Sequence, residues 1–180
     1  GFNLGVINMA GGDSYIFDGR PGGAGSSNEW TMRNTRTAAS VGDVVRLVDG
    51  ATYNTFRYLN LESQATLTTT GVIFFFSFSS GKTGNSNNTV VYNNIRGRTD
   101  IANSMSNGIL SNGTAGALNS NNYISNNNFE NFTSIGISIL SAGGGPSWTI
   151  QNNHFYSTFT SAVAQTGIAI AGAGSTGMNI

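Results

Sequence analysis

The amino-acid sequence predicts an all-β solenoid, with short strands wound one turn per repeat of about 30 residues, for about six turns. Three observations predict it. Gly, Asn, Ser and Thr supply 89 of the 180 residues, and these are poor helix-interior residues. An apolar strand ending in glycine recurs at a nearly constant period. A second motif alternates apolar and polar residues, as a strand with one buried face does.

Composition sets the bounds. Hydrophobic residues make up 38%, with eleven Phe and six Tyr, enough to fill a core despite the low charge. Eight acidic and eight basic residues balance to zero, so no electrostatic footprint for nucleic acid or an anionic membrane is expected. With no Cys and a single His, Cys/His zinc sites and thiol catalysis are excluded. The longest apolar run, Val72 to Phe76, is far short of the roughly 20 residues that insertion into a bilayer requires. The chain opens on Gly1-Phe2-Asn3-Leu4 and closes on Met178-Asn179-Ile180 inside an alternating stretch. The expectation is one domain, 1–180, cut from a longer chain with both ends uncapped and flanking domains as its neighbours.

The first motif runs Tyr15-Ile16-Phe17-Asp18-Gly19, Arg46-Leu47-Val48-Asp49-Gly50 and Phe78-Ser79-Ser80-Gly81, then Ile109 to Gly113, Ile139 to Gly143 and Ile168 to Gly172. Its glycines are spaced 31, 31, 32, 30 and 29 residues apart. The second motif centres on Met32, Phe56, Val90, Ile124 and Ile150, with Ile180 opening a further copy. Five residues later come Thr37, Leu61, Ile95, Phe129 and Phe155. Between them lie Asn93-Asn94, Asn126-Asn127-Asn128 and Asn152-Asn153, at a corner where left-handed backbone is tolerated. Such a unit cannot bury its apolar face alone, whereas stacked copies align like residues in ladders.

The rungs Tyr123-Ile124-Ser125-Asn126-Asn127-Asn128-Phe129 and Thr149-Ile150-Gln151-Asn152-Asn153-His154-Phe155 resemble those of right-handed parallel β-helix proteins, the pectate-lyase-like superfamily. The segments Phe17 to Gly23 and Asp49 to Thr55 resemble β-helix parts of very large secreted surface proteins of Gram-negative bacteria. The resemblance implies a secreted or cell-surface setting. It implies a non-catalytic role as an adhesive stalk or glycan-contact scaffold, with polysaccharide or cell-surface glycan as partner. The fold also carries polysaccharide lyases, glycoside hydrolases and tailspike-like fibres, so an enzyme acting on acidic polysaccharide and a structural fibre stand as alternatives.

Candidate chemistry is sparse, and no catalytic, cofactor-binding or metal-ligating residue is assigned. Under the enzyme alternative, Asp18 and Asp49 would occupy one position in successive rungs, with Arg20 and Lys82 just past the same corner. Such carboxylates beside a base resemble the working parts of β-helix lyases, with Ca²⁺ as the cofactor of that alternative. Two carboxylates fall short of the six to eight oxygens that Ca²⁺ takes, and Asp-Gly is also a common turn dipeptide. Asn126 and Asn152 are expected to stack at one corner, with Asn34 equivalent, as a structural asparagine ladder. Arg33 and Arg57 are expected on one outward phase, and His154 as a polar corner residue. Trp30 and Trp148 are expected to share one position and pack inwards; an outward Trp would be a stacking platform for sugar rings. The polar insertion 97–106, with Arg98 and Asp100, is the expected place for contacts.

Overall fold

The computed structural model describes residues 5–36, 42–77, 81–101, 104–139, 143–172 and 174–180. Each turn of the chain lays down three short strands. The first turn holds Ile7–Ala10 (β1), Ile16–Asp18 (β2) and Trp30–Arg33 (β3), and the second Val45–Val48 (β4), Thr55–Arg57 (β5) and Leu59–Ser63 (β6). The third holds Ile73–Phe76 (β7), Thr89–Val91 (β8) and Asn94–Gly97 (β9), and the fourth Met105–Asn112 (β10), Tyr123–Ser125 (β11) and Asn128–Glu130 (β12). Phe132–Ile139 (β13), Thr149–Gln151 (β14) and His154–Tyr156 (β15) complete the fifth, and Thr166–Ile170 (β16) begins a sixth.

Like strands pair only with like strands. The sheets run β1-β4-β7-β10-β13-β16, β2-β5-β8-β11-β14 and β3-β6-β9-β12-β15, with every pairing parallel. The molecule is a right-handed parallel β-helix of five full rungs and the start of another. Thr149 bridges to Asn179, which sets Ile180 above Ile150 as the repeat requires.

Period-two alternation sends one residue in two to the axis. Phe17, Phe56, Val90, Ile124 and Ile150 form one inward column. Met32, Leu61, Ile95, Phe129 and Phe155 form a second. Leu47, Phe75 and Ile139 lie in a third, on the first sheet. Rings stack along the columns, Phe17 on Phe56 at 5.0 Å and Phe129 on Phe155 at 4.9 Å. Gly136 leaves room for this stack, since a Cβ there would lie 2.6 Å from the Phe155 ring.

The sheets change direction at corners built on asparagine. Tyr58, Tyr92, Asn126 and Asn152 each adopt a left-handed φ, between 53° and 59°, directly after a strand of the second sheet. The next residue then turns inwards. Asn93 donates its N–H and Nδ2 to Asn127 Oδ1 at 2.9 and 3.0 Å, and Asn127 repeats both bonds to Asn153. The same amides reach back to Phe56 O and Val90 O, so each Asn also ties its rung to the one before. Asn54, Asn88 and Asn122 form a like ladder at the corner before the second sheet, and Asn85 and Asn119 another.

Several registers differ from the sequence expectation. The strand Ile16–Asp18 belongs to the second sheet and Val45–Val48 to the first, so Gly19 and Gly50 are not equivalent. The rung length is also not constant. On the second sheet, paired residues are 39 apart between the first two rungs, 34 across the next two steps and 26 at the last. Trp30–Arg33 pairs with Leu59–Ser63, so Met32 heads the Leu61 column rather than the Phe56 column. Thr37, Phe78 to Ser80 and Leu140 to Ala142 lie outside the described residues. The inward ladder is Asn127–Asn153, one residue after Asn126 and Asn152, because the left-handed corner residue itself points out. Asn34 is not part of it; its amide donates to Asp43 O.

Candidate functional site

The outward face of the third sheet carries charge. Arg33 faces Glu62, Glu62 faces Arg96, Arg96 faces Glu130 and Glu130 faces Tyr156, one per rung. These are the residues that follow the inward Met32, Leu61, Ile95, Phe129 and Phe155, so alternation turns them out. Opposite charges at neighbouring positions of a parallel sheet attract, and here they interlock. Arg33 Nη2 lies 2.6 Å from Glu62 Oε2, and Arg96 Nη2 3.0 Å from Glu62 Oε1. The Glu62 side chain is only 1% exposed. Burial pushes its carboxyl up, but the hydrogen bonds from Arg33 and from the Oγ1 and N–H of Thr99 outweigh it and leave it below the ordinary value.

Thr99 follows β9 in the stretch 97–106 expected for contacts, of which Gly97 belongs to β9 and Met105 and Ser106 to β10. Its Oγ1 donates to Glu62 Oε1 at 2.9 Å, which pins the insertion to the ladder. Arg98 grips Asp100 through two bonds, 3.0 and 2.7 Å, and Arg33 Nη1 lies 3.3 Å from Asp100. Beside this strap opens a cleft of about 650 Å³, with Arg96, Glu130 and Asn131 along its floor and Ile101 and Phe159 at its walls. Asn131 holds the far wall, accepting from the Thr158 N–H at 2.9 Å and donating to Thr158 Oγ1 at 3.0 Å. Tyr156 donates to Glu130, and burial, followed by the Glu130 charge, raises its hydroxyl pKa.

The acids and bases expected to act together do not meet as supposed. Asp18 faces Arg57 across the β2–β5 pair, while Asp49 sits at the end of the first sheet. Asp18 is held by Arg20 at 2.7 Å and Arg57 at 2.9 Å, and the Arg20 bond takes its carboxyl far below the usual carboxylate range. The Arg20 guanidinium also lies 4.5 Å over the Tyr58 ring, which stacks on Tyr92 at 4.9 Å. Asp49 keeps a buried Oδ1 without a hydrogen-bond partner, and Lys82 is exposed, with no ion pair among the described residues.

Arg33 and Arg57 lie on different sheets, not on one phase. The two tryptophans part company too. Trp148 is fully buried, donates Nε1 to Asn119 O and meets Phe75 edge-on. Trp30 is 46% exposed on β3. His154 caps the outward column Asn60, Asn94, Asn128 and stacks on Tyr156 at 4.7 Å.

Glu62, Arg96, Glu130 and Phe159 were not among the expected site residues. A signal for the first three was present, since each directly follows a recognised inward position. Phe159 lies in an irregular segment after β15 and had none.

Comparison with known proteins gives no relative. Neither a family model, nor a curated protein, nor a solved structure shows a significant match to this chain.

Proposed function

We propose that the chain is a non-catalytic extracellular β-helix module of a bacterial surface or secreted protein. It serves as an adhesive stalk whose third-sheet face contacts surface glycan. The resemblance of its asparagine-cornered rungs to the pectate-lyase-like superfamily supplies the setting, by analogy of fold. The state of the carboxylates carries the rest. Glu62, the most buried acid of the cleft region, gives both oxygens to guanidinium groups and so stays ionised. Asp18 is likewise neutralised by Arg20 and Arg57. A general acid or base needs a pKa near the working pH and a free path to substrate; these groups have neither.

Incubation with uronate polymers, with and without Ca²⁺, tests the reading through release of unsaturated product. No product is expected. Product that vanishes in Asp18→Ala or Asp49→Ala would make the protein a lyase.

A further inference from the structure

We infer that the cleft beside the 97–101 strap takes a neutral glycan, and that uronate-bearing or otherwise anionic sugars are not its ligands. The inference rests on the glycan-contact reading and adds the ligand class and the place.

Volume comes first. At about 650 Å³ the cleft falls in the range of sites for small organic molecules. Hydrogen bonds tie both sides of it to the sheet. Thr99 is tied to Glu62 on one side, and on the other Asn131 is bonded to Thr158, next to Phe159. Each wall contributes one apolar side chain left in water, Ile101 at 42% exposure and Phe159 at 41%. Exposed apolar side chains above a polar floor suit a ring with an apolar C–H face and a hydroxylated rim. An aromatic face is the usual surface for such packing.

Charge decides the class. Arg33, Arg96 and Arg98 stand among Glu62, Asp100 and Glu130, and each guanidinium is already engaged. Arg96 lies 3.0 Å from Glu62 and 3.9 Å from Glu130, and Arg98 is bidentate on Asp100. The field of these groups cancels, so an anionic sugar gains no net attraction. To pair with Arg96 it would have to share a guanidinium that Glu62 already neutralises at 3.0 Å. It would also bring its charge beside Glu130 and Asp100. A neutral sugar meets no such penalty. Its hydroxyls donate to carboxylate oxygens of Glu130 and accept from the free N–H groups of Arg96, leaving the ion pairs intact.

The test is binding of the intact polypeptide to immobilised oligosaccharides, one neutral set and one set bearing uronate, sialate or sulfate. Retention of neutral members is expected, unchanged between low salt and 0.5 M salt, since no counter-charge is involved. Phe159→Ala is expected to weaken that binding roughly tenfold. The residue is exposed, so its loss leaves the fold in place. Glu130→Gln leaves the floor with a net positive charge and is expected to shift preference towards the anionic set. Salt-sensitive binding of anionic sugars by the unaltered protein overturns the neutral class while leaving glycan contact standing. Neutral binding that Phe159→Ala does not weaken puts the ligand elsewhere and overturns the site. Retention of no glycan in either set overturns the contact reading itself.

Discussion

Arg33 on β3 donates its Nε to Glu62 Oε2 on β6 at 2.6 Å, although that carboxylate is all but sealed from solvent. A buried acid of this kind depends wholly on its partners, and the dependence runs both ways. Arg33 and Arg96 are brought to the same rung-to-rung column by the sheet register, and Glu62 separates them.

Glu62→Ala therefore leaves two guanidiniums facing a void and removes both bonds from Thr99 to the carboxylate, leaving only that from Arg33 Nη2. We expect a loss of ~3 kcal/mol, read as a lower midpoint in urea unfolding. Glu62→Gln keeps the volume and the bond to Thr99 and is expected to lose less.

Acid should act through the same groups. Folding lowers the pKa of Glu62 below 4.5 and that of Asp18 below 3.8, so the unfolded chain binds their protons more tightly. The stability they add is complete above those ordinary values and drains away as pH falls through the lower folded-state values. A melting temperature that is flat from about pH 7 to about pH 5 and falls below that is expected. The fall should be shallower in Glu62→Gln. A protein whose melting temperature already declined between those two values would contradict this.

Adjacent asparagines should behave very differently. Asn127→Ala strips the acceptor from both Asn93 donors and the donor from Val90 O, all in the interior. About 2–3 kcal/mol is the expected cost in denaturant unfolding. The Asn128 side chain points outwards and donates to Asn94 Oδ1 on the outward column. Its replacement by Ala should change stability by less than about 0.5 kcal/mol.

The two tryptophans should be separable by light. Trp148 is packed against Phe75 and bonded to Asn119 O, so its emission should lie to the blue and resist acrylamide. Trp30 should emit to the red and be quenched. In Trp30→Phe the quenchable component should disappear, and a remaining red, quenchable band would place Trp148 in solvent.

Alternation and the asparagine corners made the solenoid readable from residue order alone. Nine of the residues named from the sequence, Met32, Phe56, Val90, Ile124, Ile150, Leu61, Ile95, Phe129 and Phe155, lie on the axis columns. The first rung was misread for a physical reason. Its loop from Pro21 to Glu29 is long, and its strand Ile16–Asp18 ends in Asp-Gly as the first-sheet strand Val45–Val48 also does. Two turns of like chemistry at a spacing near the repeat length are indistinguishable without the pairing partner. The cleft was only half legible. Insertion 97–106 declared itself by composition, but the compensation of its charges needs the register that places Arg33, Glu62, Arg96 and Glu130 in line. Seen along the chain, those charges look scattered; across the sheet, they are neighbours.

The middle of the molecule advances by a fixed 34 residues at two corners at once, from Asn54 to Asn88 to Asn122 and from Asn60 to Asn94 to Asn128. Excising residues 94–127 would seat Asn128 directly after Asn93, in the place Asn94 now holds, with Phe129 above Leu61 and β13 beside β7. Duplicating the same stretch would lengthen the coil by one turn. The reach of such a rod is thus quantised in whole turns, and length can change by gain or loss of a cassette that keeps the two corners in register.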